Sequence, residues 1–292
     1  MIIEPRLVKL STRTGVEVKR SIPHAKLKTI GAWCFIDHFG PTEQTDGMVV
    51  AKHPHIGLQT VTWLIEGKVE HRDSLGSVQE ILPGQVNIMT AGKGISHSEL
   101  SQIGPENLHA VQLWVALPQQ FSGIQPLFEH RADLPVLQLD GAKATVFAGD
   151  FGDSSAKMTI FSELVGLELD FEDNARLSLP LRPDFEYGLL MVDGSAQVNG
   201  QHVAENELLY IEVGESELNI TTTTPAKAIL VGGVPFGEKI VMWWNFVASS
   251  QKEITEAREQ WNARDARFGD FEDQIGGWIP APELPHVNLQ PR

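Results

Sequence analysis

The stretch TVTWLIEGKVEHRD, Thr60 to Asp73, decides how the chain is read. Bulky and polar residues alternate through it, as they do on a strand with one buried face. Glu66-Gly67 interrupts the alternation with a tight-turn signal. Downstream, EILPGQVNIMTAGKGISHSE, Glu80 to Glu99, sets Pro83-Gly84 before another strand and a glycine-rich turn at Gly92 and Gly94. HAVQLWVALP, His109 to Pro118, then reads as a strand stopped by proline. Short strands at intervals of roughly 8–12 residues predict a β-sandwich or barrel.

The pattern repeats. YGLLMVDGSAQVNGQHVAENELLYIEV, Tyr187 to Val213, follows the same order of strand, acidic-Gly turn, strand, loop and strand. Asp193-Gly194 matches Glu66-Gly67 at an offset of 127 residues. The expectation is two duplicated β domains, 1–135 and 136–292, with 119–160 as the crossover and QPLFEHRADLP, Gln125 to Pro135, as a polar connector. Near the C-terminus, Ser250 to Glu253 reads as a capping box. Ile254, Ala257 and Trp261 then give one apolar helical stripe. From Gly276 the prolines at 280, 282, 285 and 291 predict an extended strap or a partly disordered end.

The 292 residues are enough for sizeable cores, and 42% hydrophobic with 21% charged residues is ordinary for a soluble globular chain. A net charge of −15 repels phosphate backbones and anionic lipid, so no direct nucleic-acid or membrane partner is expected. Cys34 is the one cysteine, which excludes an intrachain disulfide and fits a reducing compartment. No signal-peptide pattern and no apolar run of about 20 residues is seen, so a cytoplasmic protein is expected.

The chemistry lies in two short motifs. In KHPHIGLQT, Lys52 to Thr60, His53 and His55 are two apart and share one strand face. In GISHSE, His97 and Glu99 do the same. If hairpins bring the two strands into one barrel, three neutral imidazoles and one carboxylate surround a divalent ion. That set favours Fe(II), Mn, Co, Ni, Cu or Zn over Ca or Mg. Four protein ligands in an octahedral site leave two positions open for substrate, water or dioxygen.

These motifs resemble the pirins, a family of the cupin superfamily. HPHIGLQTVTWLIEGKVEHRDSLGS, from His53, and PGQVNIMTAGKGISHSE, from Pro83, carry the resemblance. FIDHFGP, QLWVALP and VMWWNF extend it across almost the whole chain. The resemblance implies an all-β protein of two tandem cupin (jelly-roll) domains with a short C-terminal helix. It implies that His53, His55, His97 and Glu99 are the metal ligands, and that only the N-terminal cupin keeps the metal. In line with this, Pro180 and Arg182 fall at the two histidine positions of the second repeat. Fe(II) is the metal expected first, with Ni, Co, Cu, Mn and Zn as alternatives.

For function, the resemblance implies a quercetin 2,3-dioxygenase acting on a flavonol, with Glu99 as the catalytic proton acceptor. Its alternative is a non-catalytic, iron-binding regulator that responds to metal or redox state through a protein partner. A sugar-phosphate isomerase is disfavoured, since nothing near the motifs supplies an obvious phosphate-binding cluster of Lys and Arg beyond Lys52, Arg72 and Lys93. Many pirins carry arginine, glycine, an aromatic and an acidic residue after the second histidine. Here Ile56, Gly57, Leu58 and Gln59 stand there, a less polar text in which substrate or partner choice is expected to be written. His71 is expected on the surface or supporting a ligand. One of Asp37 and His38 is a further candidate for support, although structural roles are expected for both, and Cys34 is expected to be buried.

Overall fold

The structure, a computed structural model, describes residues 1–10, 16–43, 48–101, 107–272 and 276–291. The chain forms two compact units. The first takes residues 1–7, 19–38 and 131–236, and the second takes 8–18, 39–130 and 237–292.

Eight strands build most of the second unit. They are β1 (Val49–His55), β2 (Leu58–Glu66), β3 (Val69–Asp73), β4 (Val78–Ile81), β5 (Val86–Thr90), β6 (Ile95–Ser101), β7 (Asn107–Ala116) and β8 (Leu127–Arg131). They split between two sheets, one ordered β1-β6-β3-β4 and the other containing β8-β5-β2-β7. Strands β2 and β3 therefore lie in different sheets. Glu66-Gly67 is a corner between sheets and not the turn of a hairpin. Gly67 sits there at φ 88°, and a Cβ would lie 2.6 Å from the Asn107 carbonyl oxygen, so the corner requires glycine. Leu64, Val69, Ile81, Leu108 and Ala110 from both sheets share one buried cluster.

The first unit repeats the plan. Its strands are β9 (Leu164–Phe171), β10 (Arg176–Pro180), β11 (Glu186–Asp193), β12 (Ala196–Val198), β13 (Gln201–Val203), β14 (Leu208–Ile211), β15 (Glu217–Thr221) and β16 (Ala226–Gly233). The order β10-β15-β12-β13 copies β1-β6-β3-β4, and β14-β11-β16 copies β5-β2-β7. The duplication read from two acidic-Gly turns thus extends to strand order. The fold is all-β with two cupin-type domains, as expected, although each unit is made of two separate sheets and not of a closed barrel.

The first unit's interior is filled by Leu167, Leu169, Leu177, Leu179, Leu189 and Leu230. Pro180 and Arg182 are exposed, and Arg182 pairs with Asp184 and Glu163. Alternation explains this, because Leu177 and Leu179 take the inward positions of that strand.

Two readings of the middle of the chain are corrected. Leu127–Arg131 is not a connector but strand β8, beside β5 at the sheet edge. Part of the expected crossover is also strand, Val136–Leu139 paired with Ala142–Phe151. The polar residues there belong to half-exposed strands, which composition alone cannot tell from loops.

The C-terminal segment belongs to the second unit. A short hairpin, β17 (Val241–Trp243) and β18 (Phe246–Ala248), precedes α1 (Gln251–Asn262). Ser250 caps α1 by accepting from the Glu253 amide, and Ile254, Ala257 and Trp261 are its buried stripe. Trp243 and Trp244 pack on the same cluster. Beyond it the tail forms a strap. The Ile279 amide donates to the Lys52 carbonyl, the Trp261 indole donates to the Ile279 carbonyl, and Asn262 exchanges two bonds with Ala281.

Candidate metal centre

Strands β1 and β6 run antiparallel with His97 opposite His53 and Ile95 opposite His55. The i, i+2 spacing puts His53 and His55 on one face, and the register brings His97 to the same place. The ring centroids are 4.2 Å apart for His53 and His97, 5.0 Å for His55 and His97, and 5.1 Å for His53 and His55. One nitrogen from each ring lies within 4.8 Å of the other two. All three side chains are buried.

The outer nitrogens set which ring nitrogens are free. His53 Nδ1 is 2.9 Å from the Ala51 carbonyl, and His55 Nδ1 is 3.1 Å from the Asn245 carbonyl. A carbonyl oxygen only accepts, so each Nδ1 carries a proton and each neutral ring keeps its lone pair on Nε2. His55 Nε2 faces His97 Nε2 at 3.0 Å. Burial pushes the His53 imidazole down to about 4 and holds His55 and His97 well below the usual histidine range. At neutral pH the rings are uncharged bases that converge in a buried site. A divalent transition metal fits that donor set, and imidazole suits Fe, Ni, Cu and Zn.

Glu99 is placed differently. The β1–β6 register slips between His97 and Glu99, so Glu99 opposes Val50. Its carboxylate accepts from Gln112 Nε2 at 3.1 Å, and Gln112 Oε1 accepts from the Thr62 hydroxyl at 2.7 Å. Burial raises the Glu99 carboxyl above the usual range. It borders a cavity of about 20 Å³ lined chiefly by Phe39, Met48, Leu64, Leu108 and Val111. The group of three mutually close donors is His53, His55 and His97, without Glu99.

His71 is buried, not on the surface. Its ring stacks on Phe128 at 4.5 Å, with Nδ1 3.3 Å from His97 Nδ1 and Nε2 3.0 Å from Asp73 Oδ2. Asp37 is clamped by Arg20 through two bonds of 2.7 Å, and His38 Nδ1 lies 2.9 Å from Asn206 Oδ1. These contacts belong to the first unit, so both serve its structure. Cys34 is buried. Ile56 packs among Phe246, Ile254 and Trp261, and Gln59 is buried and donates to Thr90 Oγ1. The Gln112 side chain and the Asn245 carbonyl were missed in the sequence. Gln112 lies inside a plain strand pattern, and a backbone carbonyl leaves no mark on residue type.

The family model described as Pirin matches residues 15–115, and the model described as Pirin C-terminal cupin domain matches 166–269. The chain belongs to the pirin family. This pirin is 46% identical over 273 residues to a Pseudomonas aeruginosa protein named "Putative quercetin 2,3-dioxygenase PA1205", covering 93% of this chain and 87% of that protein. It superposes with a TM-score of 0.94 on a crystal structure titled quercetin 2,3-dioxygenase from Acinetobacter baumannii. Identity there is 42%, with 98% of this chain and 96% of the other covered. A bacterial pirin from Escherichia coli, solved with nickel(II), shares the fold at a TM-score of 0.64 and 21% identity, covering 80% and 99% of the two chains. No helix among this pirin's described residues is long and apolar enough to cross a membrane.

Proposed function

We propose that this pirin is a metal-dependent dioxygenase acting on a flavonol such as quercetin, with His53, His55, His97 and Glu99 holding Fe(II) as the first candidate metal. The observation that carries the reading is the trio of buried imidazoles, His53, His55 and His97, whose ring nitrogens converge. The names carried by the Pseudomonas and Acinetobacter relatives support the substrate class, and the nickel bound to the Escherichia coli pirin supports a divalent transition metal. A cytoplasmic location is part of the proposal.

A metal held there supplies Lewis acidity toward a hydroxyl and neighbouring carbonyl of the substrate. Glu99 takes the hydroxyl proton. Burial raises its proton affinity above that of an ordinary carboxylate, and Gln112 donates to the carboxylate. Phe39, Met48, Leu64 and Leu108 exclude water around the carboxylate. The test is an anaerobic-to-aerobic assay with quercetin and protein loaded with Fe(II), Ni(II) or Cu(II). Turnover with at least one metal is expected, and none with any metal contradicts the proposal.

The size of the cavity favours a second reading. The cavity beside Glu99, about 20 Å³, holds roughly one water, so no flavonol ring fits against that carboxylate unless Phe39, Met48 or Leu108 moves. A non-catalytic regulator acting through a protein partner needs no such movement. Pull-downs with Fe(II)- and Fe(III)-loaded protein separate the two. Partner profiles that differ support the regulator, and equal profiles count against it.

A further inference from the structure

The cavity beside Glu99 is too small for a flavonol ring, yet it is not filled by side chains. About 20 Å³ is room for one molecule the size of water. Its walls come from both sheets of the second unit, with Leu64 on β2, Val69 on β3, Glu99 on β6 and Leu108, Ala110 and Val111 on β7. Interiors are normally packed without such gaps. Ala110 is the smallest of these wall side chains, and its size leaves the space open.

The chemistry of the wall selects the occupant. Among the described residues the wall is apolar except at Thr62, Glu99 and Gln112. Those three already bond one another. The Thr62 hydroxyl donates to Gln112 Oε1 at 2.7 Å, and Gln112 Nε2 donates to Glu99 Oε1 at 3.1 Å. A buried water makes about three hydrogen bonds, and a wall whose polar groups are engaged with each other serves it poorly. An uncharged diatomic molecule needs no hydrogen bond and gains dispersion contact with the surrounding methyl groups.

The position is also suitable. On β6, Glu99 at the cavity wall is two residues from His97, about 7 Å along the strand. On β7, Ala110, Gln112 and Trp114 alternate onto one face. Ala110 lines the cavity, Gln112 bonds Glu99, and the Trp114 ring meets the His55 ring edge-on at 5.1 Å. One strand face thus runs from the cavity to the imidazole trio. Met48, in the wall, has an unbranched side chain that repacks easily and lets a small molecule pass.

We propose that this cavity is a dioxygen site, which holds the small co-substrate beside Glu99 while the flavonol is held elsewhere. The inference deepens the dioxygenase reading and rests on it for the use of dioxygen. Its own content is a site for a small apolar gas, which can be measured without turnover.

Dioxygen is paramagnetic and speeds the relaxation of methyl groups that it touches. Methyl NMR is run on the full-length chain, freed of paramagnetic metal and equilibrated under dioxygen pressure. Leu64, Val69, Leu108 and Val111 should relax faster than the similarly buried Leu167, Leu169 and Leu189 of the first unit. Ala110→Val fills the space and should abolish the excess. Leu108→Ala enlarges the space and should increase the excess at Leu64 and Val111, so the two variants move the signal in opposite directions. In the quercetin assay, Ala110→Val should raise KM for dioxygen severalfold and leave KM for quercetin in place.

Four results overturn the inference. They are no excess relaxation in the wild type, an excess that survives Ala110→Val, an unchanged KM for dioxygen in that variant, and an ordered water bonded to Glu99 inside the cavity in a crystal structure. If the relaxation pattern is found and no metal supports quercetin turnover, the dioxygenase reading fails and the gas site stands. If turnover is found without the pattern, the gas site fails and the dioxygenase reading stands.

Discussion

His53 and His97 are direct cross-strand partners, both buried, with ring centroids 4.2 Å apart. The strand ladder therefore forces basic groups together before any metal arrives. Folding depresses the affinity of His53 for protons to about 4 from an ordinary 6.5. A histidine lowered on folding stays neutral in the native chain while the unfolded chain takes up a proton. Its contribution is present above pH 6.5 and is lost as pH falls through the folded value. Metal-free protein should lose stability between about pH 6.5 and 4, by roughly 3 kcal/mol for His53 alone. Urea midpoints across that window should flatten in His53→Ala. An unchanged slope contradicts the burial argument.

Gly57 links the metal strand to the C-terminal hairpin. It sits at φ 66°, and a Cβ there would lie 2.1 Å from the Val247 carbonyl oxygen. The Val247 amide donates to Ile56, and the adjacent Asn245 carbonyl orients His55. Gly57→Ala should cost about 1–3 kcal/mol in urea unfolding and also weaken metal binding by displacing that carbonyl. Wild-type stability would show that the hairpin does not hold this strand.

Gln112 bonds Glu99 and is bonded by Thr62. In the dioxygenase reading, Glu99→Gln should lower kcat by about 10²–10⁴-fold. Gln112→Leu should lower it less, with KM nearly unchanged. Metal content, measured alongside, separates a lost base from a lost ligand. Full activity in Glu99→Gln removes Glu99 from the mechanism.

The helix provides a control remote from the chemistry. Ser250 caps α1 at the Glu253 amide, so Ser250→Ala should cost about 1 kcal/mol. Metal content should stay at the wild-type level, since the buried face of α1, Ile254, Ala257 and Trp261, packs in the cluster of Val241, Phe246 and Phe268. A loss of metal would mean that the helix supports the site directly.

What could be read in the sequence follows a physical division. His53 and His55 share a face because strand geometry fixes i, i+2, and the acidic-Gly turns reveal the duplication because few other residues make such corners. Ser250 and its stripe were equally local. Whatever depended on register was hidden. His71 reads as one more polar residue in VEHRD, and only the pairing of β3 with β6 brings it to His97. Glu99 lies two residues from His97, but the ladder slips between them and the carboxylate accepts from Gln112, and no spacing rule announces either. LFEHR looks like linker because its strand is half exposed on both faces.

The central claim is that His53, His55 and His97 bind a divalent metal. Metal analysis of protein purified without added metal, on wild type and on His55→Ala, tests it most directly. The wild type should retain a transition metal after dialysis, and His55→Ala, with one of three converging lone pairs removed, should lose it. A His55→Ala protein that keeps its full metal content would show that the metal is held elsewhere.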